Sequence, residues 1–324
     1  MPDDPRSYDP LETPSIDAIR LAARRLAGAF SESPVLRSPA LDRATGLKLY
    51  FKDESSLPTG SFKLRGAMNA VLSLDREVHA VATHSSGNHA RALAHAARAC
   101  GIAAHVAMPS DAAPEKIAAV QREGARVVLC EPTPEGRRLA ARRLCDETGA
   151  VLVPPSDHPD VIAGQGTVAL ELLAQVPGLD VVVVPVGGGG LVAGVALVVA
   201  SLCRQVRVVG AQPTGADDAV RSKAAGRHLP PAGPALTVAD GLRAPLVARV
   251  WPVVRDLVDS IVSIEDDATM ASLLLLRTHL GLAVEPSAAI ALAAVLGAPS
   301  LAGRVGVVLT GGNIDLSRVA PGVV

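Results

Sequence analysis

Between residues 78 and 157 the chain repeats one pattern: a short apolar run, then a helical segment closed by glycine. VHAVATH, AAHVAMP, ARVVLC and AVLVPP have strand length. HARALAHAARAC, PEKIAAVQRE and PEGRRLAARRLCDET lie between them and are followed by Gly101, Gly124 and Gly149. Glycine just past a helix is the expected stop signal, because it enters the left-handed region at little cost. Strands alternating with helices imply a parallel sheet buried on both faces. The pattern restricts the chain to an α/β architecture with parallel-rich, twisted sheets flanked by helices.

The same signals continue further along. DVVVVPV and VRVVGAQ are strand-length runs separated by a helix, DATMASLLLLRTHLG and PSAAIALAAVLG read as helices, and GVVLTGG reads as a final strand. The αβ block 78–157 is expected to form a small domain, with 1–77 and 158–324 forming a large one. VIAGQGT, which has two glycines and no strand pattern, reads as the return between them. Doubly wound sheets bind ligands beyond the carboxyl ends of their strands. That singles out three loops after strand-like runs: HSSGNH (84–89), PVGGGG (185–190) and TGGN (310–313).

Composition removes several classes. The formal net charge of −1, without a long run of like charge, gives no footprint of a nucleic-acid binder. The 23 residues Val181 to Cys203 carry no charge, but Pro185 and Gly187 to Gly190 split them into strand, loop and helix, so no membrane span is expected. Cys100, Cys130, Cys145 and Cys203 are scattered without a C-x-x-C spacing, as expected of free thiols in a reducing cytoplasm. The N-terminal MPDDPRSYDPLETP is too polar for a signal peptide and reads as a tail before the first helix.

Two features carry chemistry. Gly187 to Gly190 let backbone N–H groups converge on an anion, and the helix that follows adds the positive end of its dipole. A rival reading uses Gly188, Gly190 and Ala193 as G-x-G-x-x-A of a dinucleotide site, but the next strand ends in Gln212 where that site needs an acid. The second feature is Lys63 in SFKLRGAMNA. The chain has 31 Lys and Arg, of which only Lys48, Lys52, Lys63, Lys116 and Lys223 are lysines. A lysine between Phe62 and Leu64 near a helix start is a candidate for desolvation, which lowers its pKa and frees the amine as a nucleophile. A phosphate cup with an activated lysine suggests pyridoxal phosphate. A nicotinamide-dependent dehydrogenase and a non-catalytic binding module are the readings of other classes.

SFKLRGAMNA, HSSGNHARALAHAA, VIAGQGTVALELL, PVGGGGLVAGVA and LTGGNIDLSR stand in one chain in this order. In that order they resemble the serine racemase and threonine (serine) dehydratase family, two-lobed fold-type II pyridoxal-phosphate enzymes with a tryptophan synthase beta-like fold. The resemblance covers about residues 12 to 320. It implies that Lys63 holds the cofactor covalently, that Phe62 packs near its ring and that Asn88 hydrogen-bonds its phenolic oxygen. It assigns the phosphate to Gly187, Gly188, Gly189 and Gly190, and sets Thr310 against the pyridine nitrogen. Ser85, Ser86, Asn88 and His89 match the loop for the substrate carboxylate, with Arg137 as a further contact.

The implied activity is an ammonia-lyase (dehydratase) reaction that converts a β-hydroxy amino acid such as threonine or serine to a 2-oxo acid and ammonia. The alternatives are a serine-type racemase with side elimination and a hydroxyaspartate-type dehydratase. Ser86 matches the acid/base that serine racemase uses on the face opposite the lysine. Gln212, Ala216 and Asp218 match the region where serine racemase holds magnesium or another divalent cation, with Gln212 in place of a glutamate. Ser156 and Ala244 replace polar residues near the substrate side chain. By the same resemblance, the nine residues after Asp315 leave no room for the isoleucine-binding regulatory domain of biosynthetic threonine dehydratases, so a catabolic role is expected. The partners implied are a small amino acid and a second copy of the chain, as a homodimer or homotetramer, in the cytoplasm.

Overall fold

The computed structural model describes residues 12–314, so the expected N-terminal tail and the end of the LTGGNIDLSR motif lie outside the described residues. The first part of the chain runs α1 (Ile16–Leu26), β1 (Val35–Leu36), α2 (Pro39–Thr45), β2 (Lys48–Asp53) and α3 (Lys63–Leu72). The middle runs β3 (Ala80–His84), α4 (Asn88–Ala99), β4 (Ala103–Pro109), α5 (Pro114–Arg122), β5 (Arg126–Cys130), α6 (Pro134–Thr148) and β6 (Val151–Leu152). Then come α7 (Pro159–Gln175), β7 (Val181–Pro185), α8 (Gly190–Leu202), β8 (Arg207–Pro213), α9 (Asp218–Ala225), α10 (Trp251–Leu257), β9 (Ser260–Ile264), α11 (Asp266–Leu280), α12 (Pro286–Leu296) and β10 (Arg304–Leu309).

Local chemistry sets most boundaries. Pro114, Pro134, Pro159 and Pro286 open helices at the position where a missing N–H costs nothing. Ser15 and Thr133 cap theirs by accepting from Ala18 N and Gly136 N. Gly101, Gly124 and Gly149 all have positive φ, as the stop signals require. The strand expected over AVLVPP is shorter, because Pro154 and Pro155 have no N–H to offer a ladder; Val153 N still donates to Ala82 O at 2.8 Å.

Two sheets result. The small one has the order β5-β4-β3-β6 and is wholly parallel. The large one has the order β1-β2-β10-β7-β8-β9 and is parallel except for the β1–β2 pair. Successive residues of β7 serve opposite cores. Val182 and Val184 pack with α1, α7, α8 and α10, while Val181 and Val183 pack with α11 and α12. Each sheet has a topological switch. The small sheet runs outward from β3 and returns to place β6 on the other side of β3; the large sheet does the same with β7 and β10.

VIAGQGT is not a link between lobes. It is the middle of α7, buried from Val161 to Thr167. Glycine costs a helix about 1 kcal/mol relative to alanine, and here it allows backbones to touch. A Cβ on Gly164 would lie 2.5 Å from Arg65 O, one on Gly66 would lie 2.7 Å from Val161 O, and one on Gly194 would lie 2.7 Å from Gly166 N. These glycines fuse α3, α7 and α8 into one stack.

A buried ion cluster pins the far side of α3. Arg65 donates to Glu54 Oε2 at 2.6 Å and to Glu171 Oε1 at 2.6 Å, and Lys52 Nζ donates to Glu171 Oε2, Ser33 O and Gln175 Oε1. Arg65, Lys52 and Glu54 are fully buried, so each charge survives only because it is matched.

Gly164→Ala is expected to destabilise the protein by about 1–3 kcal/mol through overpacking. Thermal denaturation measures this, and a variant as stable as its parent would show that α3 and α7 do not meet backbone to backbone.

Candidate active site

The two switch points direct four loops into one cleft. HSSGN leaves β3, Val153 to Ser156 leave β6, the glycines leave β7 and TGGN leaves β10. Lys63, the first residue of α3, lies among them. Its Nζ donates to Pro155 O at 2.8 Å and sits 5.0 Å from the Phe62 ring centroid. Its segment is fastened to the loop after β10, since Phe62 N donates to Thr310 O and Ser61 bridges to Gly311. The residue keeps some surface on the cleft, but its ammonium is enclosed by protein. Burial pulls its pKa down to about 8, against an upward pull from Glu285.

The glycine loop has a specific shape. Gly189 has φ +87°, a conformation that L side chains rarely adopt, and a Cβ on Gly188 would strike Ser156 Oγ at 2.5 Å. The N–H groups of Gly187 to Gly190 donate to no protein acceptor among the described residues. They surround the start of α8, which is an arrangement for an anion.

The remaining expected residues fall as follows. Thr310 is buried at the end of β10 and its hydroxyl donates to Ser287 O at 3.2 Å. Ser85 and Ser86 lie in the part-exposed bend before α4; Ser85 Oγ accepts from Gly87 N, and the Ser86 hydroxyl has no protein partner among the described residues. His89 is buried, and its Nε2 meets Val153 O at 2.9 Å. Burial, and then the nearby Lys63 charge, push its pKa down to about 3, so the ring stays neutral. Through Val153 O it anchors the loop after β6. Arg137 is half-buried on α6, close enough to lower the pKa of His84, after burial, and to act on Asp240 across the cleft.

Two participants were not legible in the sequence. Glu285 precedes α12, and Asn88 Nδ2 donates to both its oxygens, at 2.9 and 3.0 Å. Burial raises the Glu285 pKa to about 7, with the Asn88 amide opposing. Asn313 donates to Asn88 Oδ1 and Thr59 O and accepts from Arg91 Nη1. The E-P-S start of a helix and the Asn of TGGN were available as signals, but only folding brings them to Asn88. A further tie joins Lys116 on α5 to Asp240 on the opposite wall, both substantially exposed.

Gln212, Ala216 and Asp218 do not form a cation site. Gln212 Oε1 accepts from Val220 N at 2.9 Å, which turns Nε2 toward Asp218 Oδ1 at 3.0 Å. A dication needs oxygen ligands, and here Gln212 presents an N–H group to the Asp218 carboxylate. No group of three or more His, Cys, Asp or Glu is placed to hold a metal among the described residues. No described helix is long and apolar enough to cross a membrane; Val181 to Cys203 divides into β7, the glycine bend and α8.

A lysine of lowered pKa at the start of α3 and a backbone anion cradle after β7 are the features expected of a fold-type II pyridoxal-phosphate enzyme. The chain belongs to the pyridoxal-phosphate-dependent enzyme family, whose model matches residues 26–311. It is 44% identical to human serine racemase over 296 residues, covering 88% of this chain and 87% of that one. It is 42% identical to a beta-hydroxyaspartate dehydratase of Paracoccus denitrificans (strain Pd 1222), covering 94% of this chain and 98% of that one. The solved structure of maize serine racemase superposes with a TM-score of 0.92 at 42% identity, covering 94% of this chain and 95% of that one. The residues present fit the cofactor: an amine able to lose its proton near neutrality, and backbone donors shaped around an anion.

The Lys63 amine of the cofactor-free protein is expected to condense with a small aldehyde at a rate that rises with pH to a plateau, with a midpoint at about 8. Borohydride trapping and mass spectrometry measure this. Above its own pKa of about 7 Glu285 is charged and holds the Lys63 value up, so Glu285→Gln is expected to move that midpoint lower. A parent midpoint at the ordinary lysine value of about 10.4 would contradict the desolvation argument, and an unmoved midpoint in the variant would contradict the coupling.

Proposed function

We propose that this enzyme is an amino-acid racemase of the serine type that also eliminates water from the same substrate, giving a 2-oxo acid and ammonia. The observation that carries this reading is Ser86, a hydroxyl in the bend before α4 with no protein partner among the described residues. It lies on the small-sheet wall of the cleft, while Lys63 opens α3. The identity to serine racemases supports it.

In this reading Lys63 would hold the cofactor covalently, Gly187 to Gly190 would hold its phosphate, and Phe62, Thr310 and Asn88 would bind its ring. The bound cofactor supplies an electron sink for the pair left when the α-proton departs. Lys63, neutral once the substrate amine has replaced it, takes that proton from one face. Ser86 returns a proton on the other face, and the configuration inverts. A positioned acid or base of this kind contributes about 10²–10⁴-fold. The first-turn N–H groups of α4 and the Arg137 guanidinium receive the substrate carboxylate. Thr310 is neutral, so it cannot hold the ring nitrogen protonated as an aspartate would.

A dehydratase acting on threonine or hydroxyaspartate is the second reading. The Paracoccus relative supports it, as do Ser156 and Ala244, which shorten side chains where the substrate side chain is expected.

A panel of L- and D-β-hydroxy amino acids, assayed for chiral inversion and for 2-oxo acid, separates the two. Lys63→Ala is expected to abolish both products. Ser86→Ala is expected to lower inversion by about 10²–10⁴-fold while elimination from L-substrates persists. Inversion that survives Ser86→Ala would overturn the role given to Ser86, and a parent that yields 2-oxo acid without inversion would overturn the racemase assignment.

A further inference from the structure

The corner between β8 and α9 is closed by an amide. Gln212 is fully buried at the end of β8, and Asp218, 3% exposed, opens α9. Every hydrogen bond there has a fixed direction. Val220 N can only donate, so the Gln212 atom facing it is the carbonyl oxygen, at 2.9 Å. The other end of the same planar group is then an NH₂, 3.0 Å from Asp218 Oδ1. The second carboxylate oxygen accepts from Leu246 N at 2.7 Å. Turning the amide over would set two N–H groups against each other at Val220 and two oxygens against each other at Asp218. Burial raises the pKa of the Asp218 carboxyl, and these donors, with Arg221, oppose that.

The corner is linked to the glycine loop. Leu246 is buried, and its Cδ1 lies 2.5 Å from where a Cβ on Gly189 would be. The next residue, Val247, donates its N–H to Gly188 O at 3.2 Å. Gln212 therefore reaches the anion cradle through Asp218, Leu246 and Val247. We propose that the Gln212 carboxamide stands in for a divalent cation as the positioning group of this corner, so that the fold and its glycine loop hold their shape without metal. The link to cofactor binding rests on reading that loop as the phosphate cradle; metal independence does not.

The test uses the purified full chain, with and without pyridoxal phosphate. Its melting temperature, and the visible absorbance of the loaded protein, are expected to be unchanged by chelator or by millimolar magnesium, calcium or manganese chloride. Calorimetric titration with manganese is expected to show no saturable site. Gln212→Glu places two carboxylates against each other, so it is expected to melt at least about 4 °C lower in chelator and to regain the loss on binding one manganese per chain. Gln212→Leu, which supplies neither hydrogen bond nor charge, is expected to melt lower and to stay there with any metal. A parent that loses stability in chelator or binds manganese stoichiometrically would overturn the proposal, and so would a Gln212→Leu variant as stable as the parent. The parent measurements stand even if Gln212→Glu does not fold. Failure of the glycine-loop reading looks different: no absorbance develops with pyridoxal phosphate, while the melting temperatures still report on the corner.

Discussion

Backbone contact between three helices is the constraint on which the rest of this molecule depends. Gly66 of α3 lies against α7, Gly164 of α7 lies against α3, and Gly194 of α8 lies against Gly166 of α7, all closer than a methyl group would allow. Because α3 begins with Lys63 and α8 begins inside the glycine loop, this stack sets the amine and the anion cradle relative to each other. Helices in such contact have little room to slide, since any shift drives carbonyl oxygens into neighbouring backbone. The precision of the cleft therefore originates some way behind it, in residues that touch no ligand.

Two buried lysines show how environment divides one chemistry into two roles. Lys52 has a carboxylate, a carbonyl and an amide oxygen within hydrogen-bonding distance, so its charge is matched and it ties β2 to α7. Among the described residues, Lys63 has only Pro155 O at that distance. Burial lowers the pKa of both, but Glu171 opposes it directly at Lys52, while Glu285 opposes it at Lys63 from beyond hydrogen-bonding reach. Arg65, two residues past Lys63, takes up Glu54 and Glu171 and so keeps those carboxylates on the far side of α3. The helix separates an ionic side from a side where an amine can be neutral.

The small sheet was legible because its signals are local: apolar runs, proline at helix starts and glycine at helix ends. The positions of the three loops were legible for the same reason, since each follows a strand. β2 was not, because KLYFKD ends in a lysine and an aspartate whose burial depends on partners far along the chain. VIAGQGT read as a link because two glycines oppose helix formation locally, and what compensates them lies on α3 and α8. Glu285 and Asn313 were missed because their role is to meet Asn88, which is a property of the assembled cleft. At Gln212 the departure from the family pattern was visible in the sequence. The direction in which its amide points depends on Val220 N, and that is a fact of the folded corner.

The two sides of the cleft are held by different physics. Behind Lys63 the helices meet in a dry, close-packed seam. In front, the walls are joined by Lys116 with Asp240 and by Arg91 with Asn313, groups that water can replace readily. An exposed ion pair of this kind contributes about 0–1 kcal/mol and weakens as salt screens it. The front of the molecule should therefore respond to ionic strength while the close-packed seam behind Lys63 does not.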